Sequence, residues 1–159
     1  MTLQLEGWFA RRGDTPLGDH CGIDRTMQLV GNRTSMLLLR EAFHGTTRFD
    51  ALHRRVGVTE AVAAQRLKEL VAAGVLTKEP YREPGQRTRH EYRLTEAGHA
   101  LLPIVIALLE WGGRYTPSEF GPSRLTHADC GAPAHVEIHC EAGHAVPEED
   151  LVVRAPHDR

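Results

Sequence analysis

Apolar positions along the chain fall first at helical spacing, then alternate, then return to helical spacing. That order predicts a mainly helical α+β protein with one hairpin in its middle. Between Asp19 and Val30, Ile23, Met27 and Val30 mark one helical face, with Asp19 placed to cap it and Gly31 to stop it. After Asn32 the run RTSMLLLREAF is apolar around most of its circumference, as expected of a central helix. RFDALHRRV, with Thr47 as its expected cap, carries Phe49, Leu52 and Val56 on one face. A further helix opens at Thr59, with Val62, Leu67, Leu70 and Val71 expected inward, and closes at Gly74. Only Gly57, Val58 and Thr59 separate these last two helices, so they must cross steeply, which is a helix-turn-helix.

Two strands follow, VLTKEPYRE and RHEYRL, joined by the turn-forming PGQRT, and they predict a basic two-stranded wing. From Thr95 to Tyr115 a Thr-Glu helix start runs into ALLPIVIALLEWGGRY, a stripe too apolar for one small domain to bury alone and hence a candidate C-terminal dimerisation helix. The chain therefore divides into an N-terminal arm (1–18), a winged helix-turn-helix domain with dimerisation helices (19–115) and a C-terminal appendage (116–159). In the appendage Pro117, Pro122, Pro133, Pro147 and Pro156 exclude long helices. There HVEIHC alternates and DLVVRA is expected to pair with it, giving a small β structure.

Composition narrows the function. The longest apolar stretch, Ala100 to Leu109, contains Pro103 and falls far short of the roughly 20 residues that span a bilayer. The opening residues lack the long apolar run of a secretory signal, so a cytoplasmic protein without membrane contact is expected. The net charge of −2 conceals an asymmetry: Arg48 to Leu94 holds ten Arg or Lys against six Asp or Glu, a balance of +4, which leaves −6 elsewhere. A basic middle in an acidic chain suits an approach to phosphates, and a solvated charged surface gives the same count. No Gly-rich phosphate loop, nucleophile elbow or His-Glu-x-x-His occurs, so an enzyme is not expected.

Cys21, LVGNRTSMLLLREAFHGTTRFDAL, RLKELVAAGVLTKE and EYRLTEAGHAL, in that order, resemble the HxlR-type winged-helix regulators, relatives of the MarR-like repressors. The resemblance covers about residues 20 to 115. It implies a dimeric transcriptional regulator, expected to repress, bound to an inverted-repeat operator in double-stranded DNA. In part of that family the cysteine before the first helix senses oxidants or electrophiles. Two positions depart from the pattern: Thr34 stands where Trp is common, and Ala61 where an Arg is often found early in the recognition helix.

In such a module the exposed start of the second helix meets base edges, which selects Thr59, Glu60, Ala63, Ala64, Gln65, Arg66 and Lys68. Gln65 suits adenine and Arg66 guanine, and an intrahelical ion pair is the competing role for Arg66. Gln86, Arg87, Thr88 and Arg89 at the wing tip suit a minor groove or phosphates, and Arg48, Arg54 and Arg55 suit phosphates. Cys21, beside His20 at a helix start, is either a redox-active thiol or an inert residue packed at the dimer interface. His127-x2-Cys130 and Cys140-x3-His144 have the ligand types of a structural zinc site, with His135 and His139 nearby. No cofactor is required. Control by a thiol-reactive signal or a small-molecule effector fits the leading reading, and the competing one is a winged-helix protein-interaction module with a zinc-stabilised tail.

Overall fold

The computed structural model describes residues 3–85, 87–116, 119, 121 and 123–155. In chain order they form β1 (Gln4–Leu5), α1 (Gly7–Arg11), α2 (Gly22–Val30), α3 (Arg33–Phe43), α4 (Phe49–Val56), α5 (Glu60–Ala72), β2 (Leu76–Tyr81), β3 (Arg89–Leu94), α6 (Glu96–His99), α7 (Leu102–Tyr115) and β4 (Val152–Val153). Two compact units result, Asp19–Ser123 and the described parts of Met1–Gly18 with Arg124–Arg159. Among the described residues no helix is long and apolar enough to cross a membrane.

The larger unit is the expected α+β winged helix. Its core is built on Leu38 and Leu39 of α3, Leu52 of α4 and Leu67 and Leu70 of α5, joined by Val30, Val56, Val75, Leu76 and Tyr92. Capping sets the helix starts. Asn32 Oδ1 accepts the Ser35 N–H at 2.8 Å, Thr59 Oγ1 accepts that of Val62 at 3.3 Å, and Thr95 Oγ1 accepts that of Gly98 at 3.0 Å. Gly57 ends α4 with φ +72°, a left-handed conformation that lets the chain reverse into α5 within three residues. Gly98 is required for a different reason: a Cβ there would lie 2.2 Å from the Val75 carbonyl oxygen, so α6 packs directly on the backbone just before β2.

The wing is an antiparallel pair in the register Leu76↔Leu94 to Tyr81↔Arg89. The chain before α4 widens it, because the Tyr92 N–H donates to Thr47 O at 2.8 Å and Arg48 bridges to Glu91. This changes the expected role of Thr47. Arg48 occupies the N-cap position of α4 without a side-chain capping bond, and the Thr47 hydroxyl donates to Glu91 Oε2 at 3.1 Å. At α2 the cap is Cys21 rather than Asp19, which lies in a preceding 3₁₀ turn. Only Val30 of the expected α2 stripe is buried, while Ile23 is 76% exposed. The segment after Thr95 is two helices, with Pro103 in the first turn of α7, where its missing N–H costs nothing.

In the smaller unit the expected pairing of HVEIHC with DLVVRA does not form. Val152 and Val153 pair in parallel with Gln4 and Leu5, and Arg154 Nε lies 2.6 Å from Glu6 Oε2. Residues 135–140 stay outside named strands and bridge only at His139↔Ala145. The described parts of the N-terminal arm and of the tail, separate in the sequence reading, thus share one unit that begins its second segment at Arg124.

Glu41, 5% exposed, ties α3 to the first helix of the helix-turn-helix. Its Oε1 accepts Nε and Nη2 of Arg40 at 3.1 and 2.7 Å, and its Oε2 lies 3.5 Å from Arg55 Nη1. Burial pushes its pKa up, but the Arg40 bond and charge, with His44 and Arg55, bring it below the usual 4.5. A carboxyl lowered on folding adds stability that is fully present above its unfolded value and is lost as pH falls through its folded value. Glu41→Gln is therefore expected to cost about 1–3 kcal/mol near neutral pH. In urea titrations at several pH values, the gap to wild type should close as pH falls below 4.5. A gap of constant size would refute the ionic role.

Candidate nucleic-acid interface

The rotation of α5 decides which side chains face outward. Ala63, Leu67 and Leu70 are completely buried, a stripe at intervals of four and three residues. Ala63 is therefore not available to DNA, contrary to the sequence expectation, and Val62, expected inward, is 43% exposed. Hydrophobicity favours valine for the core, but the spacing to Leu67 and Leu70 selects the alanine. With Ala61, Val62 offers an apolar surface suited to a thymine methyl. Glu60, Ala64, Gln65 and Lys68 are exposed as expected, and Thr59 caps the helix.

Glu69 engages both candidate base readers. Gln65 Nε2 donates to its Oε1 and Arg66 Nη1 to its Oε2, each at 2.7 Å. Arg66 thus adopts the intrahelical pair that the sequence left open. The Gln65 bond, followed by the Arg66 bond, holds the Glu69 carboxyl below its ordinary pKa.

Other cations of this surface have carboxylate partners that cross between elements. Arg48 Nη2 lies 2.7 Å from Glu83 Oε1, with its guanidinium 4.8 Å from the centre of the Tyr81 ring. Arg89 Nη1 lies 3.2 Å from Asp50 Oδ2. Arg55 donates to Thr46 Oγ1 at 3.0 Å and reaches Glu41 Oε2 at 3.5 Å, which ties α4 to α3. Arg54, Lys68, Arg87 and Thr88 are exposed and, among the described residues, carry no ion pair. Gln86 lies outside the described residues. Between α5, the start of α4 and the wing runs a cleft of about 590 Å³ lined in part by Asp50, Glu60, Lys78, Arg87 and Arg89. Lys78 and Tyr81 were missed in the sequence. In the register of the wing Lys78 pairs with Tyr92 and Tyr81 with Arg89, and both pairs line the cleft, which no local window of β2 shows.

Cys21 is half-buried at the start of α2, and its Sγ accepts the Asp24 N–H at 3.4 Å. The four residues expected to hold zinc fall in two local pairs. His127 Nδ1 lies 3.3 Å from Cys130 Sγ, whereas Cys140 and His144 meet through their backbones in a separate turn. Among the described residues no group of three or more His, Cys, Asp or Glu side chains gathers to hold a metal. Each pair closes its own hairpin, at Thr126↔Pro133 and at His139↔Ala145, and Glu137 takes up His135 at 2.9 Å and His139 at 3.4 Å. His127 with Cys130 and Cys140 with His144 thus sit on two separate turns.

A helix exposed after a three-residue turn, with a basic hairpin beside it, defines a winged helix-turn-helix, the class that sets one helix in the major groove of DNA. A family model described as HxlR-like helix-turn-helix matches residues 29–120. The HTH-type transcriptional regulator Rv3095 of Mycobacterium tuberculosis is 40% identical over 119 residues, 74% of each chain. The crystal structure of PA1607, a candidate transcription factor, superposes with a TM-score of 0.75 at 31% identity, covering 89% of this chain and 98% of that one. The oxidised form of the redox regulator HypR gives 0.56 at 29% identity, covering 62% and 100%. The chain belongs to the HxlR-like helix-turn-helix family of transcriptional regulators.

Arg87→Ala is expected to weaken binding to every duplex alike and to flatten the dependence of log K on log salt by about 0.9, one counterion's share. Gel-shift titrations at several salt concentrations measure both. An unchanged slope would remove the wing tip from the interface.

Proposed function

We propose that the protein is a homodimeric repressor that binds an inverted-repeat operator, each subunit placing α5 in one major groove and its arginine-bearing wing over the adjoining backbone or minor groove. The family supports DNA binding. The observation that carries the pairing is the uncovered apolar surface of the larger unit. No residue of α7 is buried, and Leu108 and Trp111 are 54% and 59% exposed. On α2, Ile23, Met27 and Leu29 are exposed as well. Such a surface asks for a partner. A second copy meets the requirement of a two-fold operator, in which half-sites lie about 34 Å apart or a multiple of it.

Control is assigned to Cys21, which stands at the start of α2, so that an adduct on its sulfur would disturb the face carrying Ile23 and Met27. Similarity to HypR, known as a redox regulator, supports this reading.

Leu108→Glu is expected to give a folded monomer by light scattering, with affinity for the duplex upstream of its own gene lowered about 100-fold or more through loss of the second half-site. A wild-type monomer, or a variant that still pairs, would refute the arrangement. N-ethylmaleimide adds the thiol sulfur and its proton across its double bond. Treated wild type is expected to release that duplex while treated Cys21→Ser retains it, as followed by fluorescence anisotropy. Equal release by both proteins would exclude Cys21 as the sensor.

A further inference from the structure

We infer that Glu69 is a specificity-determining residue, whose carboxylate keeps Gln65 and Arg66 engaged on the protein until a base pair able to satisfy each of them takes its place. This rests on the DNA-binding reading above. The geometry is specific: helical side chains lean toward the N-terminus, so Glu69 reaches back over the positions four and three residues before it. It gives one oxygen to each, Oε1 to Gln65 and Oε2 to Arg66, both at 2.7 Å. The two partners therefore do not compete, and both must be released before Glu69 stands bare.

Glu69 differs in this from the other carboxylates of the surface. Glu83 and Asp50 tie Arg48 and Arg89 across elements and so hold the wing against the start of α4. Both partners of Glu69 lie on α5 itself, so removing its charge detaches no other part of the fold. The Glu69 side chain is 40% exposed and that of Arg66 39%, so the pair is hydrated and can be exchanged.

Discrimination follows from what is offered in exchange. Non-operator DNA presents mainly phosphates, which attract Arg66 but leave the bared Glu69 facing a second negative charge, with no counterpart for Gln65. A matching adenine and guanine offer paired acceptors and donors to Gln65 and Arg66 together. The carboxylate thus weakens non-operator binding more than operator binding.

Two duplexes provide the test: one enriched by the wild-type protein from a random-sequence pool, and a shuffled duplex of the same composition. Anisotropy titrations across a salt series compare wild type with Glu69→Gln. The ratio of the two affinities is expected to fall about two- to fivefold, the scale of one surface ion pair, through tighter binding to the shuffled duplex. On that duplex the salt slope should steepen by about 0.9 as Arg66 becomes free for a phosphate. Glu69→Ala is expected to give the same fall, with melting curves confirming that both variants are folded. An unchanged ratio, or equal weakening on both duplexes, overturns the role of Glu69 and leaves DNA binding intact. Failure of the wild type to enrich any duplex overturns the DNA-binding reading itself.

Discussion

The burial of Ala63, Leu67 and Leu70 against α3 and α4 fixes the rotation of α5 about its own axis, and every assignment on the outer surface follows from that angle. Turning a helix by one residue moves each side chain by about 100°, enough to carry a base-reading position into the core. The methyl of Ala63 permits the close approach of the neighbouring helices. A larger side chain at that completely buried site would force the packing apart. The three-residue turn adds the second restraint, since Gly57 closes one helix and Thr59 opens the next with no slack between them. Core packing and turn chemistry together thus orient Gln65, Lys68 and Glu60 without any of these contributing to the core.

Charge on that outer surface is largely compensated. Arg48, Arg66 and Arg89 each have a carboxylate within 2.7 to 3.2 Å, and Arg93 lies 2.7 Å from Glu91 and 3.4 Å from Glu79. Exposed pairs of this kind contribute only about 0–1 kcal/mol, so exchanging a carboxylate for a phosphate costs little. The pairs nevertheless order long side chains that would otherwise sample many rotamers, and those between α4 and the wing also define the wing's direction. The sequence charge balance of +4 between Arg48 and Leu94 therefore overstates what is immediately available to DNA.

What could be read from sequence alone was whatever local chemistry dictates. The helix-turn-helix is marked by a glycine and a capping threonine, the wing by two alternating runs around a turn, and the central helix by the apolar residues of α3. Features that depend on distant partners stayed hidden. Asp50 meets Arg89 across 39 positions, and Thr47 meets Glu91 across 44, so neither partner is visible in a local window. The two-residue strands β1 and β4 are too short to show a period, which is why the N-terminal segment reads as a separate arm. The Cys and His pairs of the tail are a similar case: spacing marks each pair, but it does not fix how the two turns that carry them are placed.

Stability and the proposed pairing draw on different helices of the larger unit. The core rests on α3, α4 and α5, all of which contribute buried side chains, whereas α7 contributes none and α2 only Val30. Loss of the exposed face on α7 should therefore leave the helix-turn-helix folded, so that pairing and folding are separable by mutation. In the proposed mode of control, that separation gives Cys21 its leverage. Chemistry at the start of α2 acts on a helix peripheral to the core, where a displacement changes the surface offered to a partner at little cost to the fold that presents α5 to DNA.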